Sequence, residues 1–411
     1  MSLTSEQIQT IKATVPVLQV HGKAITTVFY KNMLAAHPDL YSVFNKANQD
    51  NGHQQRALAD ALFAYASYID NLGVLTPAVE LMCHKHASLC IQPDQYQIVG
   101  KYLLEAMAIV LGDALTPIIH DAWAAAYWQL ANLMIGREAQ LYQAANGWTQ
   151  FRDFRVIRKI PDSAEITSFH LAPVDNQPLP VFRPGQFISV QVDVPELNHP
   201  QARQYSLSDQ PLSDHYRISV KREVGQENGH AGYVSNILHD QVQEGDVVKV
   251  SHPYGDFFLD VDAASSRPIV LLAAGVGLTP LTSMLNTISS QSGTKSASRR
   301  IHFVHGARTT DVRAFRAEIQ SLVEKLPNLH ATFFTSYPAE GDKPGVDYDH
   351  EGRVDLGKMD GVKDLFLDDA MTEYYICGPT GFMVSMKEGL LKRGVSGDRI
   401  KMELFGTGGV N

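Results

Sequence analysis

Three short runs of this chain hold residues whose types and order could carry electrons. Arg203-Gln204-Tyr205-Ser206 places a cation, an amide, an aromatic ring and a hydroxyl side by side. Tyr205 can stack on or hydrogen-bond to a planar ring, Arg203 can pair with phosphate, and Ser206 can reach a ring edge; these are contacts a flavin needs. Ala274-Gly275-Val276-Gly277-Leu278-Thr279-Pro280 follows an apolar run and opens a helical one. Its glycines let backbone amides approach a pyrophosphate at the positive helix end. Cys377-Gly378-Pro379 closes another apolar run with a small, soft thiol. A buried Tyr on an edge strand or a buried Cys at a strand end would explain one motif alone, and a lone GxG is weak. Their order and spacing together point to a nicotinamide-to-flavin path.

A second constellation lies upstream. Lys85-His86 reads as mid-helix and precedes Gln92-Pro93-Asp94-Gln95-Tyr96. A helical His that ligates iron needs an outer acceptor for its second N–H. Glu138, in Gly136-Arg137-Glu138-Ala139, can accept from His86, with Tyr96 closing the triad; a solvated helix face is the competing account of Glu138. His84 is a rival ligand, two positions away and so on nearly the opposite face. Most single histidines on helices ligate nothing, and these residues alone leave the choice open.

These residues need elements to hold them. At 411 residues the chain has room for two or three domains. With 44% hydrophobic and 19% charged residues it is an ordinary globular protein with ample core. A net charge of −9 argues against nucleic acid and against an anionic membrane surface. Cys83, Cys90 and Cys377 are too few and scattered for a disulfide framework or zinc site, which suits a reducing compartment. The first residues, MSLTSEQIQTIK, show no targeting pattern, so the expected location is cytoplasmic. The run Pro268 to Leu285 is long enough to suggest a membrane span, but its glycines and prolines favour strand–turn–helix.

Three textures follow one another. Residues 1–146 read as all-α, with Ser5 and Glu6 opening the first helix, Thr76 capping one that starts at Pro77, and Trp123 to Tyr142 forming a long last helix. Residues 147–261 read as short period-two strands of a small antiparallel β-barrel, Phe187 to Val194 alternating as a half-buried strand should. Residues 262–411 alternate strand and helix, including helices over 312–326 and 381–392, as a doubly wound α/β domain does.

On the Arg203–Ser206 motif, flanked by Arg183-Pro184-Gly185-Gln186-Phe187 and Gly255-Asp256-Phe257-Phe258, the later part resembles the ferredoxin–NADP reductase family. The resemblance implies FAD held at Phe187, Arg203, Gln204, Tyr205 and Ser206, and NAD(P)H on Ala274, Gly275, Val276, Gly277, Leu278 and Thr279. Cys377, Gly378 and Pro379 would lie beside the nicotinamide, and the tail Leu404, Phe405, Gly406 and Thr407 by the flavin, with Phe405 over its ring. The chain departs from the family pattern at Thr407 (usually Pro), Leu404 (often Cys) and Phe187 (often Tyr, whose phenolic hydrogen bond is lost). Arg308, just after the second strand of the nucleotide domain, could meet a 2′-phosphate; NADH and NADPH both stay open.

Upstream, His-Pro-Asp-Leu at 37–40 followed by Phe44 resembles the globin corner where a Phe packs on heme. Tyr30, Phe44, Gln54, His86, Tyr96 and Glu138 match the flavohemoglobin family position by position, and the match covers essentially the full length. It implies a globin, then an FAD barrel, then an NAD(P) domain. Heme b iron would be ligated by His86, with Phe44 and Leu58 lining the heme pocket and Lys85 also binding a cofactor. Tyr30 and Gln54 would meet bound O₂, and Glu138 with Tyr96 would make the imidazole more basic. The implied activity is nitric oxide dioxygenation: NAD(P)H reduces FAD, FAD reduces heme, and ferrous heme with O₂ oxidises nitric oxide to nitrate. The alternatives are a heme-based oxygen or redox sensor, and a general NAD(P)H-dependent heme or flavin reductase. A monomer with no nucleic-acid partner and no stable membrane association is expected.

Overall fold

The computed structural model describes residues 2–44, 49, 51–225, 231–261, 265–291, 293 and 298–405. The chain opens with helices α1 (Ser5–Ala13), α2 (Val15–Ala36), α3 (His53–Ser67), α4 (Thr76–Ser88), α5 (Pro93–Leu111) and α6 (Pro117–Ala144). Thr4 and Gln7 form a reciprocal capping box that starts α1. The buried row Leu18, Gly22, Ile25, Phe29 and Met33 keeps the three- and four-residue spacing of one helical face. It packs with Leu103, Ala106 and Met107 of α5 and Trp123 and Ala126 of α6.

Two helix starts differ from the sequence reading. Thr76 is not a cap: it already has helical dihedrals and the chain enters α4 straight from a 3₁₀ turn, Leu72–Leu75. The last helix begins at Pro117 rather than near Trp123, because Thr116 accepts from the Ile119 amide and Pro117 needs no donor partner.

Six antiparallel strands follow: β1 (Arg152–Pro161), β2 (Ile166–Pro173), β3 (Phe187–Val194), β4 (His199–Ser206), β5 (Tyr216–Lys221) and β6 (Val247–Val250), in the order β4-β3-β6-β1-β2-β5. The outer strands meet through a Leu207–Ile218 bridge and a Ser208 N–H to Arg217 carbonyl bond of 2.9 Å, which closes the barrel. Alternation along β3 holds only beyond Gln191; Phe187 to Val190 are buried on both faces. The helical unit covers the outer face there, and no period within the strand reveals that. A helix absent from the sequence reading, α7 (Tyr233–Asp240), packs on β3, β4 and β5.

The last unit is a six-stranded parallel sheet. It comprises β7 (Ile269–Ala274), β8 (Ile301–Ala307), β9 (Leu329–Thr335), β10 (His350–Glu351), β11 (Glu373–Cys377) and β12 (Ile400–Glu403), in the order β10-β9-β8-β7-β11-β12. Helices α8 (Leu278–Ser290), α9 (Arg316–Lys325) and α10 (Thr380–Lys392) cross over between strands. The apolar run from 268 is therefore strand, turn and helix, and among the described residues no helix is long and apolar enough to cross a membrane. Helix α9 starts later than residue 312. Phe315 sits at φ 58°, and buried Arg313 donates to the Asp347 carbonyl at 2.5 Å and the Thr335 hydroxyl at 2.6 Å, which holds 312–315 in a turn. The chain reverses around β7, with β8 on one side and β11 on the other, which puts the ligand crevice at their carboxyl ends. Arg217 of β5 grips Glu318 of α9 with two bonds of 2.9 and 2.8 Å, tying barrel to sheet.

Burial holds His170, His252, His302 and His305 neutral, moving each pKa from 6.5 to about 4. The folded values are depressed, so the unfolded chain binds more protons between these limits. Stability is thus fully present above pH 6.5 and is lost as pH falls toward about 4. The urea midpoint should drop across that window. His302→Gln should flatten part of the slope; a slope identical to the parent's would show that His302 contributes nothing to acid sensitivity.

Candidate functional site

His86 lies in the last turn of α4, not mid-helix. Its Nδ1 is 2.9 Å from Glu138 Oε1 and 3.0 Å from the Tyr96 hydroxyl, which itself donates to Glu138 Oε1 at 2.6 Å. An ionised carboxylate only accepts, so Nδ1 carries the proton and Nε2 keeps its lone pair. Glu138 is 3% exposed, which excludes a solvated helix face. Burial, then the Glu138 charge, pushes the Tyr96 phenol far above its usual range, so it stays a donor. Tyr127 donates to the Tyr96 carbonyl at 2.5 Å, and its ring fits because Gly100 has no Cβ.

His84 does not face water. It is 7% exposed, accepts the Gly255 amide on Nδ1 at 3.0 Å, and presents Nε2 to Glu80 at 3.2 Å. Arg137 in turn clamps Glu80. Burial lowers the His84 pKa and keeps it neutral. Both nitrogens are committed, so only His86 offers an open one.

Tyr30, Phe44, Gln54 and Leu58 gather on another wall of the helical unit. The Tyr30 and Phe44 rings meet edge-on at 5.5 Å, and Leu58 packs into the same core. Burial raises the Tyr30 pKa strongly, while a hydrogen bond from Gln54 pulls the other way. Gln49 donates to Gln54 Oε1 at 2.9 Å, which turns the Gln54 amide N–H toward Tyr30. The phenolic O–H of Tyr30 is then left to donate elsewhere.

The barrel meets α4 directly. Phe187 and Tyr254 share a buried cluster with Cys83, Ala87, Tyr96 and Met134, and the Ser189 hydroxyl donates to that of Ser88 at 3.0 Å. Phe187 pairs with Ser206 across β3 and β4 and with Tyr254 on its other side. Strand alternation puts Arg203 and Tyr205 on one face and Gln204 and Ser206 on the other. Gln204 reaches Ser189 at 3.3 Å, while Arg203 bonds the Ala202 carbonyl at 2.6 Å. Burial lowers the Arg203 pKa to about 10, which leaves it charged at neutral pH.

The third unit closes the site. Lys85 is half-buried, and its pKa falls through burial against the pull of Glu403 and Asp256. Glu403 rises to about 8, chiefly by burial, with Lys85 opposing. Three units thus converge on α4. Gly275 adopts φ 55°, and His305 Nε2–H donates to its carbonyl at 3.0 Å. The trans peptide then aims the Val276 N–H away from His305. Gly277 passes so close to β11 that a Cβ there would lie 2.2 Å from the Cys377 carbonyl oxygen. Cys377 is wholly buried and its thiol pKa is pushed well up by burial. Ala274 ends β7, Leu278 and Thr279 open α8, and Pro379 caps α10 beyond Gly378. Leu404 packs on the sheet, Phe405 is 40% exposed, and Gly406 and Thr407 lie outside the described residues.

Sequence reasoning missed three contributors. Gly232 precedes α7, where Ser235 bonds the Gly232 carbonyl at 3.2 Å and accepts from the Glu223 amide at 3.3 Å. This helix start lies beside β4, and a short amphipathic run after Gly232 was its only signal. His305 and the domain-bridging role of His84 had no sequence signal, since each depends on a carbonyl or amide distant in the chain.

Residues 27–134 match the globin family, 153–259 the oxidoreductase FAD-binding domain family, and 271–388 the oxidoreductase NAD-binding domain family. A flavohemoprotein of Bordetella parapertussis is 49% identical over 99% of this chain and 100% of its own length. The crystal structure of a flavohemoglobin from Malassezia yamatoensis with bound FAD and heme superposes with TM-score 0.85 at 29% identity, covering 99% of this chain and 100% of that one. The FAD/NAD-binding domain of a nitric oxide dioxygenase from Vibrio cholerae is 33% identical, with TM-score 0.54 over 62% of this chain and 99% of that one.

Gly277→Ala tests the close approach of the Gly275–Gly277 turn to the end of β11. Overpacking typically costs about 1–3 kcal/mol, and here the obstacle is backbone. The thermal midpoint should fall clearly, whereas Val276→Ala nearby should change it little. Equal midpoints for Gly277→Ala and the parent would refute the contact.

Proposed function

This chain belongs to the flavohemoprotein family, and on that premise we propose that it is an NAD(P)H-dependent nitric oxide dioxygenase, taking nitric oxide and O₂ to nitrate. One observation carries the reading: the helix that ends in the His86–Glu138–Tyr96 triad is the same helix whose other face lies buried against Phe187 and Tyr254 of the barrel. An electron arriving at the barrel has a short way to the imidazole.

The residues fit the groups the family carries. His86 offers Nε2 with its other nitrogen locked, as an iron ligand requires. Phe44 and Leu58 would line heme, and Lys85, beside His86 but facing Glu403 and Asp256, would meet a cofactor where the three units join; Phe187, Arg203, Gln204, Tyr205 and Ser206, with the tail at Leu404 and Phe405, would hold FAD. Ala274 to Thr279 and Cys377 to Pro379 would hold NAD(P)H. When bound, heme supplies a redox-active iron and FAD splits a hydride pair into single electrons.

The protein's own part is positional and electrostatic. Glu138 accepts from His86 and makes the imidazole a stronger donor to iron. Tyr30, held by the Gln54 hydrogen bond, would donate its O–H to a small diatomic ligand bound at this wall. His305, by holding the Gly275 carbonyl, would turn the Val276 amide toward a pyrophosphate, and Gly277 lets α8 start against β11. The three free thiols Cys83, Cys90 and Cys377 suit a cytoplasmic protein, and we take it to act as a monomer.

Purified holoprotein supplied with NADH should consume nitric oxide only when O₂ is present. Glu138→Gln should slow that consumption by about 10–100-fold, the usual cost of losing an outer-sphere partner, while ferricyanide reduction by NADH is unchanged. The iron–histidine stretch should move to lower frequency. O₂-independent behaviour, or a Glu138→Gln protein matching the parent in stretch and turnover, would sink the reading in favour of a sensor or a general reductase.

A further inference from the structure

At the carboxyl edge of the parallel sheet the three strand ends that face a dinucleotide lie in the order β8, β7, β11. Cys377 ends β11 and the Gly275 loop follows β7, so a nicotinamide by Cys377 and a pyrophosphate on the loop send the adenosine half toward β8. The first residue beyond β8 is Arg308. Its side chain is 66% exposed, yet its guanidinium is held by the carboxylate of Glu165, a residue of the β1–β2 turn in the neighbouring barrel. Both ends of this pair are fixed. The Ala164 amide donates to the Asp311 carbonyl at 3.1 Å, and the Arg222 amide to that of Glu165 at 2.8 Å. The Tyr337 amide donates to the Arg308 carbonyl at 2.8 Å, and Tyr337 is left 70% exposed, an aromatic of the kind an adenine stacks on. Arg313, five residues on, is buried and bonded to Asp347 and Thr335, so it does not share this role.

Dinucleotide sites distinguish the two coenzymes at one atom. An acidic side chain meets the ribose 2′-hydroxyl of NADH, or an arginine meets the 2′-phosphate of NADPH. This edge holds both, supplied by different domains and neutralising each other. We propose that the Glu165–Arg308 pair sets coenzyme choice, with Glu165 as the specificity-determining residue. Its carboxylate occupies the cation that a 2′-phosphate needs and repels that phosphate, so the chain prefers NADH. Removing the Glu165 charge frees Arg308 for a charge-assisted bond to phosphate. This rests on the reading that the β7 and β11 ends bind a nicotinamide dinucleotide.

The test uses full-length holoprotein and two probes that differ only in the 2′-phosphate, adenosine 2′,5′-bisphosphate and 5′-AMP, titrated calorimetrically. Glu165→Gln should tighten the bisphosphate about tenfold, the scale of one charge-assisted hydrogen bond, and leave 5′-AMP unchanged. Arg308→Ala added to Glu165→Gln should cancel the gain. NADPH-driven ferricyanide reduction should rise relative to NADH in the single variant only. If both probes shift together, or neither shifts, the pair is merely an interdomain tie and the proposal falls while the nucleotide site stands. If the parent binds neither probe, the nucleotide-site reading falls and the proposal with it.

Discussion

A carboxylate cut off from water must be given donors, and Glu138 is 3% exposed. Leaving such a charge unmatched costs several kcal/mol. Its donors are Tyr96 from α5 and His86 from α4, while the carboxylate itself stands on α6. Satisfying one buried charge therefore fixes three helices relative to one another. It also fixes the tautomer of the histidine, because the carboxylate accepts and cannot donate. The open lone pair on Nε2 is thus a consequence of where Glu138 is buried.

The same helix has a second obligation. His84, two residues before His86, accepts the amide of Gly255, and Ser88, two residues after, meets Ser189. Opposite faces of a single turn-and-a-half serve the triad and the barrel. A shift of α4 to suit one partner would break bonds with the other. Lys85 lies between them, facing the field of Glu403 and Asp256, so the third unit also reads the position of this helix. Short electron transfer needs this rigidity more than it needs affinity, since the distance between redox groups is set by packing.

The nucleotide side is built by exclusion of side-chain atoms. Gly277 has no room for a Cβ against the Cys377 carbonyl, and Gly275 takes a backbone angle that L side chains seldom adopt. His305 holds the loop peptide with its imidazole N–H. The barrel and sheet are then locked by Arg217 on Glu318 and by Glu165 on Arg308, both crossing the boundary between them. A coenzyme at this edge meets residues from two domains, which makes recognition a property of their assembly.

Much was legible in the chain before folding. The strand at 187–194 (though not the one-sided burial read for its first half), the apolar strands around residues 270 and 375, and the helical spacing of the first unit reflect local patterns, and local patterns survive in a sequence. The motifs at 203–206, 274–280 and 377–379 were legible because glycine, proline and aromatic positions report backbone demands directly. What the chain could not state was partnership. His84 and His86 are equivalent as letters; only the Gly255 amide, 171 residues away, removes one of them from competition. Glu138 reads as an acceptor for His86 or as a solvated helix residue, and only the closing of α4 and α5 over it decides. Arg308 looks free until the β1–β2 turn of another domain arrives. In each case the deciding contact joins groups far apart in sequence, and its energy exists only when tertiary packing has excluded the water that would otherwise satisfy both.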